Sequence, residues 1–259
     1  ALRDASPMAF TAARFIIASL LISPALRGVS RAEWRAGAVL GALLALAFCA
    51  QTVGLQWTSP SRSGFLTSLY VPLTPLIVLV LYRTLPDRSA GVALVLAVTG
   101  MFLLTGYGGL GGGPNRGDWL TLLSALTFAA HMVATGVFAR QYRVERLMMT
   151  QVMVGAILSS VATPLLETPR LTWTPLLIGM VAYEAVLASI VALRLQLAAQ
   201  QVLSATYAAL VYSLEPVIAL CASLILTGDR LGPLQSVGGF LIVVGSFLPE
   251  LRRLTFTRS

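Results

Sequence analysis

Ser204-Ala205-Thr206-Tyr207-Ala208-Ala209-Leu210-Val211-Tyr212-Ser213-Leu214-Glu215-Pro216 opens an apolar run with a carboxylate and a proline near its middle. A helix needs about 20 apolar residues to cross a bilayer, and this run is long enough. A charge at bilayer depth costs roughly 2.5–3.5 kcal/mol on insertion scales, and a proline removes a helical hydrogen bond. A helix that only faced lipid would have no use for either. The pair therefore sets Glu215 against protein, water or solute and puts a bend nearby. The stretch from Ser61 to Pro75 is its counterpart earlier in the chain: Ser63 precedes Pro75 by twelve residues, as Ser204 precedes Pro216.

The rest of the chain has the same character. Of its 259 residues 57% are hydrophobic and only 11% charged, where a soluble domain carries about 25% charged residues. Nine runs are long enough to span, at about 6–26, 36–56, 64–82, 90–107, 118–139, 147–166, 174–195, 203–226 and 233–249. The expected fold is an all-α polytopic membrane protein. The net charge of +8 is carried by arginine alone, with no lysine. These arginines cluster between spans, so they read as membrane orientation and not as a nucleic-acid surface. Twelve of them fall on one side, among them Arg27, Arg83, Arg140, Arg194 and Arg252, and five on the other: Arg3, Arg62, Arg116, Arg170 and Arg230. The bias puts the C-terminus in the cytoplasm. It also puts Ala1 outside, and a further helix ahead of Ala1 would restore a cytoplasmic start and make ten spans. Cys49 and Cys221 lie within apolar runs and form neither a redox pair nor a metal spacing. No metal and no cofactor is expected.

The two proline stretches lie in the third and eighth runs, which cross in opposite directions. Equivalent helices of opposite direction mark an inverted repeat, a common plan of secondary transporters. The expected division is a first repeat over 1–107, a glycine-rich external linker over 108–117, a second repeat of five helices over 118–251, and a basic cytoplasmic tail over 252–259. Gly106-Tyr107-Gly108-Gly109-Leu110-Gly111 fits a GxGxxG pattern, but it follows a membrane span and not a strand, so it reads as linker. Gly37 and Gly41 form a GxxxG that lets two helices approach closely. The intramolecular reading is preferred, and a homodimer stays open.

Several stretches together resemble a known family. Ala50-Gln51-Thr52-Val53-Gly54 through Ser63-Gly64-Phe65-Leu66, with Tyr70, Pro72 and Pro75, is similar to the third-to-fourth helix region of the EamA-type drug/metabolite transporters. Ser6-Pro7 with Ala13-Arg14-Phe15 resembles the start of their second helix. Gln196 to Gln201, Ser204-Ala205-Thr206 and Leu214-Glu215-Pro216 resemble their eighth-to-ninth region, and Gly228-Asp229-Arg230-Leu231 their ninth-to-tenth junction. Two departures stand out: the family's first helix is absent, and Asp229 stands where Glu is usual. The resemblance implies ten helices in inverted five-helix repeats, nine of them visible here, and transport of small metabolites, often outward.

Four ionisable residues lie inside spans: Arg14, His131, Glu184 and Glu215. Intramembrane charges are functional sites by default. Glu184, near the middle of its run, reads as a cavity carboxylate or as a structural acid paired with Arg14 or a tyrosine. Arg14 reads as a fork for a solute carboxylate, or as a snorkelling or paired side chain. His131, the one histidine, reads as a cavity residue or an inter-helix contact. Tyr70, Gln51, Tyr183, Gln196 and Tyr212 offer aromatic and amide contacts of the kind a small-molecule cavity uses. The resemblance makes Glu215 and Pro216 a structural joint, with Pro72 and Pro75 as kinks that can open backbone groups. No catalytic constellation is present: the sequence holds no GxSxG and no HExxH. The expected activity is alternating-access transport of a small solute around a central cavity in the inner membrane, outward or by exchange. The solute would be an amino acid, a nucleoside or an amine-like compound, and membrane lipids would be the other partner. An intramembrane enzyme acting on a lipid-linked substrate and a non-transporting scaffold are the alternatives.

Overall fold

The structure, a computed structural model, describes residues 4–106, 114–218, 221 and 232–256. Most of the glycine-rich linker, at 107–113, and the junction containing Asp229 and Arg230 lie outside the described residues. Among the described residues the secondary structure is helical, apart from one antiparallel bridge between Ala5 and Leu171. The helices are α1 (Pro7–Leu21), α2 (Arg31–Gly54), α3 (Pro60–Ser68), α4 (Tyr70–Tyr82), α5 (Arg88–Met101), α6 (Arg116–Phe138), α7 (Val144–Leu166), α8 (Pro175–Tyr183), α9 (Ala192–Gln200), α10 (Ala205–Tyr212) and α11 (Pro233–Phe256). Two π segments join them: Phe102–Gly106 prolongs α5, and Glu184–Val191 links α8 to α9.

Arg31–Gly54, Arg62–Tyr82, Arg116–Phe138, Val144–Leu166 and Pro175–Gln200 are long and apolar enough to span, and Pro7–Leu21, Arg88–Leu104 and Pro233–Leu248 are shorter apolar helices. Large apolar side chains such as Val80, Leu165, Leu195 and Val202 point outward, as a lipid-facing surface requires. The chain is thus an all-α, multi-pass membrane protein. α11 runs to Phe256, so the start of the basic tail is helical.

Helix starts follow local chemistry. Ser59, Asp87, Thr174 and Ser204 each accept a backbone N–H of the helix that follows, which meets donors with no intrahelical partner. Pro7, Pro60 and Pro175 sit in the first turn, where the missing N–H costs nothing. Two reciprocal caps are complete: Ser30 with Glu33, and Asn115 with Asp118.

Contacts divide the chain into two compact units, 1–53 with 134–203, and 54–133 with 204–259. Each draws helices from both sides of the glycine-rich linker. In the first unit, Gly37 and Gly41 let α2 lie close against α7. A Cβ on Gly37 would sit 1.8 Å from Thr150 Oγ1, and one on Gly41 2.5 Å from the Gln151 carbonyl. The GxxxG pattern is therefore an intramolecular contact. A small core of Ala5, Ala13, Leu177 and Val181 joins α1 to α8. In the second unit, Val71, Ala93, Ala97, Met101, Leu104, Ala209, Leu210 and Ile242 form the core. There α5 meets α11 through Gly100 and Gly238, each of whose Cβ would lie 2.6 Å from the other's carbonyl oxygen. Without a hydrophobic drive between helices in lipid, close approach of small residues supplies the packing.

Candidate functional site

α1 and the π segment meet in the first unit. Arg14, seven residues after Pro7 on α1, donates from Nη1 to Glu184 Oε2 at 2.9 Å. The arginine is buried, whereas the Glu184 side chain is 32% exposed. Glu184 begins the π segment, and Ser189 Oγ donates back to the Glu184 carbonyl at 3.1 Å. A π segment carries one extra residue per turn, so its carbonyls are not all met by the usual fourth amide onward. Such segments are frequent at functional sites. The Arg14 guanidinium carbon lies 4.2 Å from the Phe48 ring centroid and 4.7 Å from that of Phe15. The two rings themselves pack edge to face. Cation–π contacts of this kind contribute roughly 0.5–2 kcal/mol. The contact with Glu184 runs through Nη1 alone, and the buried Nε–H of Arg14 has no hydrogen-bond partner.

Other predicted residues of this unit are dispersed. Tyr183, next to Glu184 in sequence, is 63% exposed and turned outward. Gln196 is buried on α9, and Gln51 is half-buried on α2.

The second unit holds the remaining candidates. His131 is buried on α6, in a series of inward polar residues with Ser124 and Thr127. Tyr70, the first residue of α4, packs on Phe128 with ring centroids 6.3 Å apart. Tyr212 and Glu215 lie close enough to Tyr70 to interact electrostatically. The eighth apolar run is broken: α10 stops at Tyr212, and helix resumes at 215–218. At the break the Ser213 hydroxyl donates to the Leu210 carbonyl at 2.6 Å, and the Ser246 hydroxyl lies within 3.0 Å of the same oxygen. Glu215 itself is exposed and makes no hydrogen bond among the described residues. α3 likewise ends at Ser68, four residues ahead of Pro72, as Tyr212 lies four ahead of Pro216. Pro75 sits inside α4. The helix break thus goes with Pro72 and Pro216, each of which removes the amide that would have bonded the fourth residue back.

Three polar knots were not singled out from sequence as pairs. Arg62, counted as a loop charge, pairs with Asp118 at 2.7 Å in the second unit, and Thr58 donates to the same carboxylate. Arg146 pairs with Glu33 at 3.1 Å in the first unit. Asp87, in the α4–α5 connection, accepts from the hydroxyls of Ser89 and Tyr207 and from the Ala90 N–H. Those bonds, the Ser89 hydroxyl foremost, hold its carboxyl down to about 2. The spacings Ser30-x-x-Glu33 and Asn115-x-x-Asp118 were the available signals for the first two knots.

A model of the EamA-like transporter family matches residues 1–106 and 115–249. A protein of Archaeoglobus fulgidus described as an uncharacterized transporter is 32% identical over 252 residues, covering 97% of this chain and 79% of its own. A crystal structure of a protein 18% identical superposes with a TM-score of 0.81, over 96% of this chain and 89% of that one. At that identity the likeness concerns the fold alone.

Proposed function

The chain belongs to the EamA-like transporter family, and we propose that it works as a secondary transporter that moves small metabolites by alternating access. Membership makes it a membrane transporter; the mechanism, the solute and the direction are our reading. Amino acids, nucleosides and amine-like compounds are the solute classes to test, with export or exchange as the direction. The inner membrane is our reading of its location, and the arginine bias supports a cytoplasmic C-terminus.

One observation carries the reading. Arg14 and Glu184 form a one-bond ion pair between an apolar helix and a π segment of an apolar span. A buried pair kept only for stability would be better replaced by apolar residues, because desolvation offsets most of its Coulomb attraction. A pair joined by one hydrogen bond, with one partner a third exposed, is suited to open and close around a solute. The helix breaks before Pro72 and Pro216 supply bending points in the second unit, where small shifts of backbone can accompany the cycle.

The test is uptake and counterflow in proteoliposomes, without nucleotide, across a panel of the three solute classes. The proposal expects saturable flux of at least one class over empty vesicles, and its loss in Glu184→Gln protein that inserts and folds normally. Turnover of a lipid-linked compound in detergent with no flux in any vesicle would overturn it.

A further inference from the structure

We infer that the free edge of the Arg14 guanidinium is a subsite for a solute carboxylate; this rests on the transporter reading above and names the chemical class its site would take. An arginine offers two planar forks, end-on through Nη1 and Nη2 and side-on through Nε and Nη2. Glu184 occupies Nη1 alone. That leaves the side-on fork, and its Nε–H is a buried donor with no partner. An unmet buried donor is destabilising, so the site is built with a deficit that a matching acceptor removes.

The acceptor is narrowed by what surrounds the fork. The Arg14 residue is 8% exposed, and the Phe15 and Phe48 rings lie against its guanidinium carbon. The N–H groups of a guanidinium lie in its plane, so hydrogen bonding runs through the edge, and two parallel oxygens fit an edge. A carboxylate supplies them; an amide supplies one oxygen, and an ammonium none. The two rings are apolar, which suits a solute whose carboxylate is attached to an apolar body. Glu184 is the positioning residue: it holds the guanidinium from the Nη1 side, while its own side chain stays 32% exposed. Opening of the π segment, whose first residue is Glu184 itself, is the movement that would uncover the fork.

The experiment uses the full chain, purified in detergent, and thermal-shift titration with matched probes: benzoate against benzamide and benzylamine, propionate against propionamide, and inorganic phosphate. Benzoate and propionate should stabilise the protein in a saturable way, and their amides, the amine and phosphate should not. Arg14→Lys keeps the charge but loses the planar fork, so it should weaken carboxylate binding on the order of tenfold. Equal stabilisation by the amides or the amine, preference for phosphate, or unchanged affinity in a well-folded Arg14→Lys protein would overturn the inference. If that variant does not fold, the carboxylate–amide comparison on the unmodified chain decides alone. Flux separates the two claims: transport of another class without any effect of carboxylates sinks this inference only, whereas no flux of any solute sinks the transporter reading as well.

Discussion

At the residue scale the informative contacts are those between a charge and a neighbour that the sequence leaves distant. Arg14 and Glu184 lie 170 positions apart, yet form a 2.9 Å pair. Removing one partner leaves the other uncompensated, which costs about 3–5 kcal/mol for a fully buried pair and less here, since the Glu184 side chain is 32% exposed. Glu184→Gln and Arg14→Gln should each lower the melting temperature in detergent. The double variant should lose less than the sum, with a coupling of about 1–3 kcal/mol. Strict additivity would mean that the pair is not formed. Asp87 offers a second check, outside the spans. Its carboxyl titrates near 2 in the folded chain against a usual value of 3.8. A depressed folded value means that its stabilisation is present above about pH 4 and is lost as pH falls toward 2. Tyr207→Phe removes one of the bonds responsible and should flatten the melting-temperature profile over that window. The intramembrane charges could be picked out from sequence because a charge in an apolar run is conspicuous. That Arg14 and Glu184 are partners was one of several readings left open, because spacing along the chain says nothing about which helices adjoin. The aromatic flank from Phe48 had no signal at all, since phenylalanine is ordinary in a membrane span.

At the element scale, apolar length located the spans well, and their interruptions less well. The run from Thr174 holds α8, a π segment and α9 in unbroken succession. No residue type announces a π turn, so the sequence showed one helix there. The break before Pro216 was legible because proline forbids a specific hydrogen bond, and the paired break before Pro72 obeys the same four-residue offset. The hydroxyls gathered at the first of these breaks are those of Ser213 and Ser246, which sit 33 positions apart and only meet once α10 and α11 pack. The glycines sort by contact. Gly37→Ala would drive a methyl group to 1.8 Å from Thr150 Oγ1, so it should lower the melting temperature by several degrees. Adding Thr150→Gly, which also removes the Cβ that would lie 2.4 Å away, should recover part of the loss. Gly179, on α8, has nothing within 4 Å of its would-be Cβ. Gly179→Ala should be neutral or raise stability by up to about 1 kcal/mol, the helix preference of alanine over glycine. The reverse ranking of these two variants would contradict the packing of α2 against α7.

At the scale of the whole molecule, the family, the all-helical fold and the membrane location were readable from composition and ordered motifs, and the family match spans most of the chain. The two compact units were not readable, because each takes helices from before and after the linker. Orientation rests on the arginine bias and can be checked directly. In a background with Cys49→Ser and Cys221→Ser, a cysteine at Arg88 should be shielded from an impermeant thiol reagent added outside intact cells, and one at Asn115 should react. The opposite pattern would invert the topology. The central claim is that the Arg14–Glu184 pair belongs to the transport cycle. The most direct measurement is solute counterflow in proteoliposomes, comparing the unmodified chain with Glu184→Gln and Arg14→Lys at matched insertion. Counterflow should be saturable for the unmodified chain and lost, or lowered on the order of tenfold, in both variants. Equal counterflow in all three would contradict it.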